Sequence, residues 1–384
     1  MIPYARHSTD RRDGRAAAQV IERGWLSSGP KVREFETAFA ARVGAKHAVA
    51  VSSGTAALHL ACLAAGLKTG DEAVVPAITF LATANAVLYC GARPAFGDVD
   101  PATLNLDLEA AARRVRSKTR AVLPVHYAGY PCDLKPYAPF FRKKGIVVIE
   151  DACHALGSTD RGLPVGSCRY SDMAAFSFHP TKAITTGEGG MVTTNDARFY
   201  RLLCELRNHG MVKDPELLQK KPEGPWAYEM QHLGFNYRLT DFQSALGLSQ
   251  LAKLDGFLAK RRKLVALYLK ELSDMPAVEA VGESVAGYLK TSAHHLFVVK
   301  IDFKRAGKTR RAVVEALAGK GVGTQVHYLP IYLHPYYRGL GYRPGLAPNA
   351  EKVYASLLTL PLFPTMNPAD VKRIAAALRE ACAK

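Results

Sequence analysis

Apolar and polar positions alternate along this chain in two interleaved rhythms. From about residue 33 to residue 210, short apolar runs of strand length are separated by longer runs with helical spacing. The strand-like runs are 47–51, 72–75, 93–97, 120–125, 146–150, 173–177 and 190–194. The helix-like runs are 33–43, 55–66, 80–90, 107–116, 135–144 and 197–207. Several strand runs are apolar on both faces, such as Ala121-Val122-Leu123-Pro124-Val125 and Gly145-Ile146-Val147-Val148-Ile149. Strands that carry no polar face are covered by helices on both sides, which predicts an α/β layered domain with a mainly parallel sheet.

A long helical pattern begins at Thr240, with Gln243 three residues on as a capping-box partner, and continues to about Ser273. Beyond it the pattern predicts a strand over 294–301, a helix over 308–319, a strand over 322–326 and a helix over 368–382. These belong to a smaller α/β unit. The expected division is a large domain over 14–250 and a small domain over 251–384, completed by residues 1–13.

The length of 384 residues and the 48% apolar content allow a large core in two packed units. The N-terminus has early positive charge but no apolar stretch behind it, so no secretory signal is expected. The apolar region from Ala48 to Leu67 is interrupted by Ser52, Ser53, Gly54, Thr55 and His59, so no membrane span is expected there. The seven cysteines are odd in number and contain no CxxC pair. Reduced thiols, a cytoplasmic location and no structural metal are the corresponding expectations. The net charge of +17 fits either nucleic acid or small anionic ligands. The basic residues are spread out, without helix-turn-helix or finger spacing, which favours phosphate-bearing small molecules.

Ligands of parallel α/β sheets bind at the carboxyl ends of the strands. Five polar stretches follow strand runs or open a helix. Ser52-Ser53-Gly54-Thr55-Ala56 opens a helix, where free N–H groups suit phosphate. Phe80 opens the next helix and could stack on a flat ring. Asp151, in Glu150-Asp151-Ala152-Cys153-His154, could pair with a pyridinium nitrogen. Ser177 and Lys182 follow the strand over 173–177, and a partly buried lysine amine is nucleophilic toward an aldehyde, with which it would form a Schiff base. Asn236-Tyr237-Arg238 precedes the long helix and suits an anion. Each stretch alone also has an ordinary reading: a helix cap, a core aromatic, a solvated lysine or a solvated turn.

Their order resembles that of fold-type I pyridoxal-phosphate (PLP) enzymes. It is similar, more narrowly, to the DegT/DnrJ/EryC1/StrS family of sugar aminotransferases, over nearly the whole chain from Gly24 to the C-terminal helix. The resemblance implies a PLP-dependent transferase in which Lys182 carries the cofactor and moves the substrate proton. It implies that Asp151 pairs with the ring nitrogen and Phe80 stacks on the ring. Thr55 and Ala56, with Ser177, would hold the phosphate, and His154 would contact the phenolic oxygen. Asn236 would reach the cofactor of the neighbouring subunit in a homodimer with shared active sites. Lysine at position 182 implies transamination, where relatives with His at that position dehydrate instead.

Within the family, Ser177 to Lys182, Gly224-Pro225-Trp226, and Gln325-Val326-His327-Tyr328 resemble the transaminases of pseudaminic acid biosynthesis. Those use L-glutamate to aminate C4 of a UDP-linked 4-keto-6-deoxy-HexNAc sugar. Thr181 and Ala77-Ile78 depart from the sequence expected of that subgroup. His327, Tyr328, Tyr336 and Tyr337 are the candidates for sugar-nucleotide contact, with aromatic packing under a loop as the competing reading. Two rivals remain: a PLP aminotransferase for another nucleotide-linked keto sugar, and a basic nucleic-acid-binding regulator that keeps the fold. The regulator would be expected to lose Lys182 or Asp151, and both are present.

Overall fold

The computed structural model describes residues 1–383. Its centre is a seven-stranded sheet in the order His47–Val51, Gly190–Thr194, Met173–Ser177, Val147–Asp151, Thr119–Val122, Glu72–Pro76 and Arg93–Gly97. The pairs from Met173–Ser177 to Arg93–Gly97 are all parallel. Gly190–Thr194 runs antiparallel to both of its neighbours. His47–Val51 is therefore parallel to the rest, and six of the seven strands end on one edge. Helices including Pro30–Val43, Gly54–Ala64, Leu81–Tyr89 and Ala197–Leu206 are laid over this sheet, and their apolar faces join its core. The apolar positions on both faces of the strands explain why the sheet is buried from two sides.

A second sheet is antiparallel, in the order Val278–Ala280, Phe297–Ile301 and Leu357–Leu360. Leu264, Val265, Tyr268, Val313, Leu317, Ile374 and Leu378 form its core with Phe297 and Val299. Ile2 pairs with Val322 beside it. No helix of the described residues is long and apolar enough to cross a membrane.

Two expectations are corrected. The long helical pattern after Thr240 is two helices, Asp241–Leu251 and Leu254–Leu272. The capping box of Thr240 and Gln243 is formed as expected. The break has no glycine or proline. At Lys253 the N–H bonds the Gln250 carbonyl, three residues back, which tightens the turn. The Lys253 ammonium meanwhile reaches Asp13 on the helix Arg11–Arg23 and Asp10 just before it. Residues 322–326 form no strand, only isolated bridges at Val322 and Gln325. Gly321 and Gly323 flank Val322 and weaken a strand there.

Candidate active site

The strands deliver their last residues to a cavity of about 680 Å³. Ser53, Gly54, Thr55, Phe80, Asp151, His154, Ser177, Lys182, His327 and Tyr328 line it together, with residues from the second sheet's surroundings closing the far side.

The cradle comes first along the chain. Ser53 caps Gly54–Ala64 and leaves the helix N-terminus facing the cavity. Gly54 meets the end of the strand Met173–Ser177: a Cβ on residue 54 would stand 2.7 Å from the Ser177 Cβ and 3.0 Å from its Oγ. The helix start and the serine hydroxyl therefore form one surface, with room for an anion and none for a side chain at residue 54. Ala56 does not join it. Its N–H is already taken by the Ser53 Oγ, at 3.0 Å, so Ser53, Gly54 and Thr55 form the wall instead.

Asp151 ends Val147–Asp151. The Cys153 N–H donates to Oδ1 at 3.1 Å, and the Thr83 hydroxyl donates to Oδ2 at 2.7 Å. Lys182 is half-buried in the opposite wall, after a turn in which its N–H bonds the His179 carbonyl at 2.8 Å. Burial lowers the Lys182 pKa below the ordinary lysine value, while Cys153 and Asp151 partly oppose the shift. Phe80 stands at the N-terminus of Leu81–Tyr89 with 55% of its surface exposed, and its ring forms part of the cavity wall.

Three histidines crowd the inner end. His154 and His295 have ring centroids 4.4 Å apart, and each has a buried Nδ1 without a partner. The Tyr328 hydroxyl lies 3.4 Å from the His154 Nε2, and His327 Nδ1 lies 2.8 Å from the Thr359 Oγ1. Burial first, and then repulsion from Lys182, pushes His327 down to about 4. The same two influences depress His154, and burial and then His154 depress His295. The cavity thus holds neutral imidazoles beside an amine that is pushed toward neutrality. It suits a group that brings its own negative charge.

Asn236 and Tyr336 lie outside this cavity. Asn236 bridges Asn208, and the neighbouring Tyr237 carbonyl accepts from the Ser52 N–H at 2.8 Å. The segment Asn236-Tyr237-Arg238 therefore runs beside the cradle without entering it. Tyr336 is 66% exposed on the short helix Pro335–Gly339. Tyr337 takes the inward position there and donates to Asn85 Oδ1 at 2.6 Å. Pattern reading missed Thr79, Thr83, His295, Tyr4 and Gln325. Tyr4, Thr79, His295 and Gln325 line the cavity, and Thr83 stands behind Asp151. The helical spacing of Thr79 and Thr83 was the available signal, shared with any helix threonine pair.

Residues 7–379 match the model of the DegT/DnrJ/EryC1/StrS aminotransferase family. The chain is 39% identical over 381 residues to the spore coat polysaccharide biosynthesis protein SpsC of Bacillus subtilis, covering 99% of this chain and 96% of that protein. Among solved structures, Helicobacter pylori PseC, an aminotransferase involved in the biosynthesis of pseudoaminic acid, superimposes with a TM-score of 0.90 at 30% identity, over 99% of this chain and 98% of that one. The putative sugar aminotransferase Spr1654 from Streptococcus pneumoniae, in its PMP form, gives a TM-score of 0.90 at 27% identity, over 100% of this chain and 99% of that one.

Proposed function

Because this chain belongs to the DegT/DnrJ/EryC1/StrS aminotransferase family, we propose that it moves an amino group from L-glutamate to C4 of a UDP-linked 4-keto-6-deoxy-HexNAc sugar. The coarser statement is plain: it is a PLP-dependent sugar aminotransferase. The finer one is supported by the likeness to PseC and by the stretches Ser177 to Lys182 and Gln325 to Tyr328. The observation that carries the aminotransferase reading is the meeting of Lys182, Asp151 and the Gly54–Ser177 cradle in one cavity.

The residues fit the cofactor. The cradle has the shape and donors for its phosphate, and the backbone of residue 54 comes so close to Ser177 that no Cβ fits there. Pyridoxal 5′-phosphate, when bound, supplies an aldehyde for amines and a ring that stabilises a carbanion. Ser177 and the helix start at Thr55 would anchor the phosphate. Asp151 would pair with the ring nitrogen and keep it protonated. Phe80 would stack on the ring, and His154 would contact the phenolic oxygen. Lys182 would hold the cofactor and, when free, would carry the proton between the donor's α-carbon and the sugar carbon. Its lowered pKa favours the neutral amine that attacks an aldehyde and accepts a proton. His327 and Tyr328 contact the sugar nucleotide from the far wall.

Trp25, Leu26, Trp226, Tyr228, Met230 and Leu233 leave large apolar surfaces exposed. They support a homodimer in which Asn236, outside its own cavity, reaches the partner's cofactor. The enzyme works in the cytoplasm, where nucleotide sugars are available. The test is an amination assay of purified enzyme with L-glutamate against UDP- and TDP-linked 4-keto and 3-keto sugars, with products read by mass spectrometry and NMR. Preferred amination of the UDP-linked 4-keto HexNAc sugar supports the reading. Preference for another keto sugar replaces the substrate and leaves the aminotransferase.

A further inference from the structure

Both oxygens of the Asp151 carboxylate already have donors inside the protein, and only one of them is backbone. Asp151 is 4% exposed, so its charge depends on those donors. The Thr83 hydroxyl donates to Oδ2 at 2.7 Å, and Thr83 is itself fully buried. Thr79 Oγ1 lies 2.8 Å from Thr83 Oγ1. The direction of this chain is set by proton count. A carboxylate can only accept, and the Thr83 hydroxyl has a single proton, which is spent on Asp151. Thr79 must therefore donate to Thr83. A threonine inside a helix commonly turns its hydroxyl back onto a carbonyl of the preceding turn. Thr83, on Leu81–Tyr89, instead points across to the sheet at the strand end that carries Asp151.

We propose that Thr83 is a positioning residue for the cofactor: with Thr79 behind it, it fixes the Asp151 carboxylate in the orientation and charge state that keep the ring nitrogen protonated. This deepens the function proposed above and rests on the role given there to Asp151. Phe80 opens the helix that carries Thr83, so one element both covers the ring and sets the group at its edge. Donation from Thr79 polarises the Thr83 hydroxyl and strengthens its hold on the carboxylate. Valine at position 83 would keep the branched shape and remove only the hydroxyl, which separates this role from packing.

The test is the ¹⁵N NMR shift of ring-labelled pyridoxal phosphate bound to wild-type, Thr83→Val, Thr83→Ser and Asp151→Asn proteins, with cofactor affinity measured alongside. Asp151→Asn marks the position of an unprotonated ring nitrogen. Thr83→Val is expected to move the signal part of the way there and to weaken cofactor binding about tenfold. Thr83→Ser is expected to restore both. If Asp151→Asn moves the signal while Thr83→Val leaves it at the wild-type position, the Thr83 proposal is overturned and the role of Asp151 stands. If Asp151→Asn leaves it unmoved, the assignment of Asp151 fails, and this proposal fails with it. Should Thr83→Val not fold, Thr79→Val decides. A smaller move in the same direction supports the chain, and an unmoved signal overturns it.

Discussion

Gly54 and Ser177 approach so closely that a Cβ on residue 54 would lie 2.7 Å from the Ser177 Cβ. The two residues come from different elements, a helix start and a strand end, and their contact makes the proposed phosphate cradle one surface. Elsewhere in a helix Gly→Ala stabilises by up to about 1 kcal/mol. Here Gly54→Ala must displace either the Ser177 hydroxyl or the helix N-terminus. Cofactor affinity is expected to fall at least about tenfold, read by titrating the cofactor-free protein with PLP. Unchanged affinity would remove the cradle from the site.

Phe80 offers a contrasting case. Its ring is 55% exposed and contributes little to the core. Phe80→Ala should leave the unfolding free energy of cofactor-free protein within about 0.5 kcal/mol. It should weaken PLP binding by about 1 kcal/mol, a factor of about five. Equilibrium unfolding and cofactor titration check the two halves separately.

Acid should destabilise the fold through its buried histidines. His294 is fully buried, and burial is the main reason its pKa is pushed down to about 4. The unfolded chain, titrating near 6.5, binds the proton that the folded chain refuses. Stability is therefore present above about pH 6.5 and is lost as pH falls toward 4. The loss from this group is about 2 kcal/mol between pH 7 and pH 5. His294→Asn tolerates the left-handed backbone there, φ 49°. Urea unfolding of this variant should show a pH dependence shallower by about that amount. An unchanged slope would mean His294 titrates normally.

The strands 47–51, 93–97, 173–177 and 190–194 were legible to the residue, because each is a short, mainly apolar run bounded by glycine or polar residues. So was the convergence of the stretches around Ser53, Asp151 and Lys182 on one cavity, since each comes at or soon after a strand end. The break at Lys253 was not legible: its sequence is helical throughout, and the turn is tied to acidic residues some 240 positions away. Val278–Ala280 escaped because three residues are too short a run for their alternation to stand out. Thr83 escaped for a different reason. A threonine's partner depends on what the fold packs against its helix, which the local pattern does not encode.

Lys182→Ala should fold like the wild type, because the side chain is only half-buried in the cavity wall. Its transamination rate should fall about a thousandfold or more, since the variant lacks the group proposed both to hold the cofactor and to carry the proton. Thermal unfolding and single-turnover kinetics measure the two consequences independently.

The most direct measurement of the central claim is the visible absorption spectrum of PLP-loaded protein, taken alone, after L-glutamate, and then after a UDP-linked 4-keto-6-deoxy sugar. A yellow band that glutamate bleaches and the keto sugar restores, and that Lys182→Ala lacks, is the predicted result. A protein that stays colourless with added PLP, or whose band no amino donor bleaches, would contradict the account.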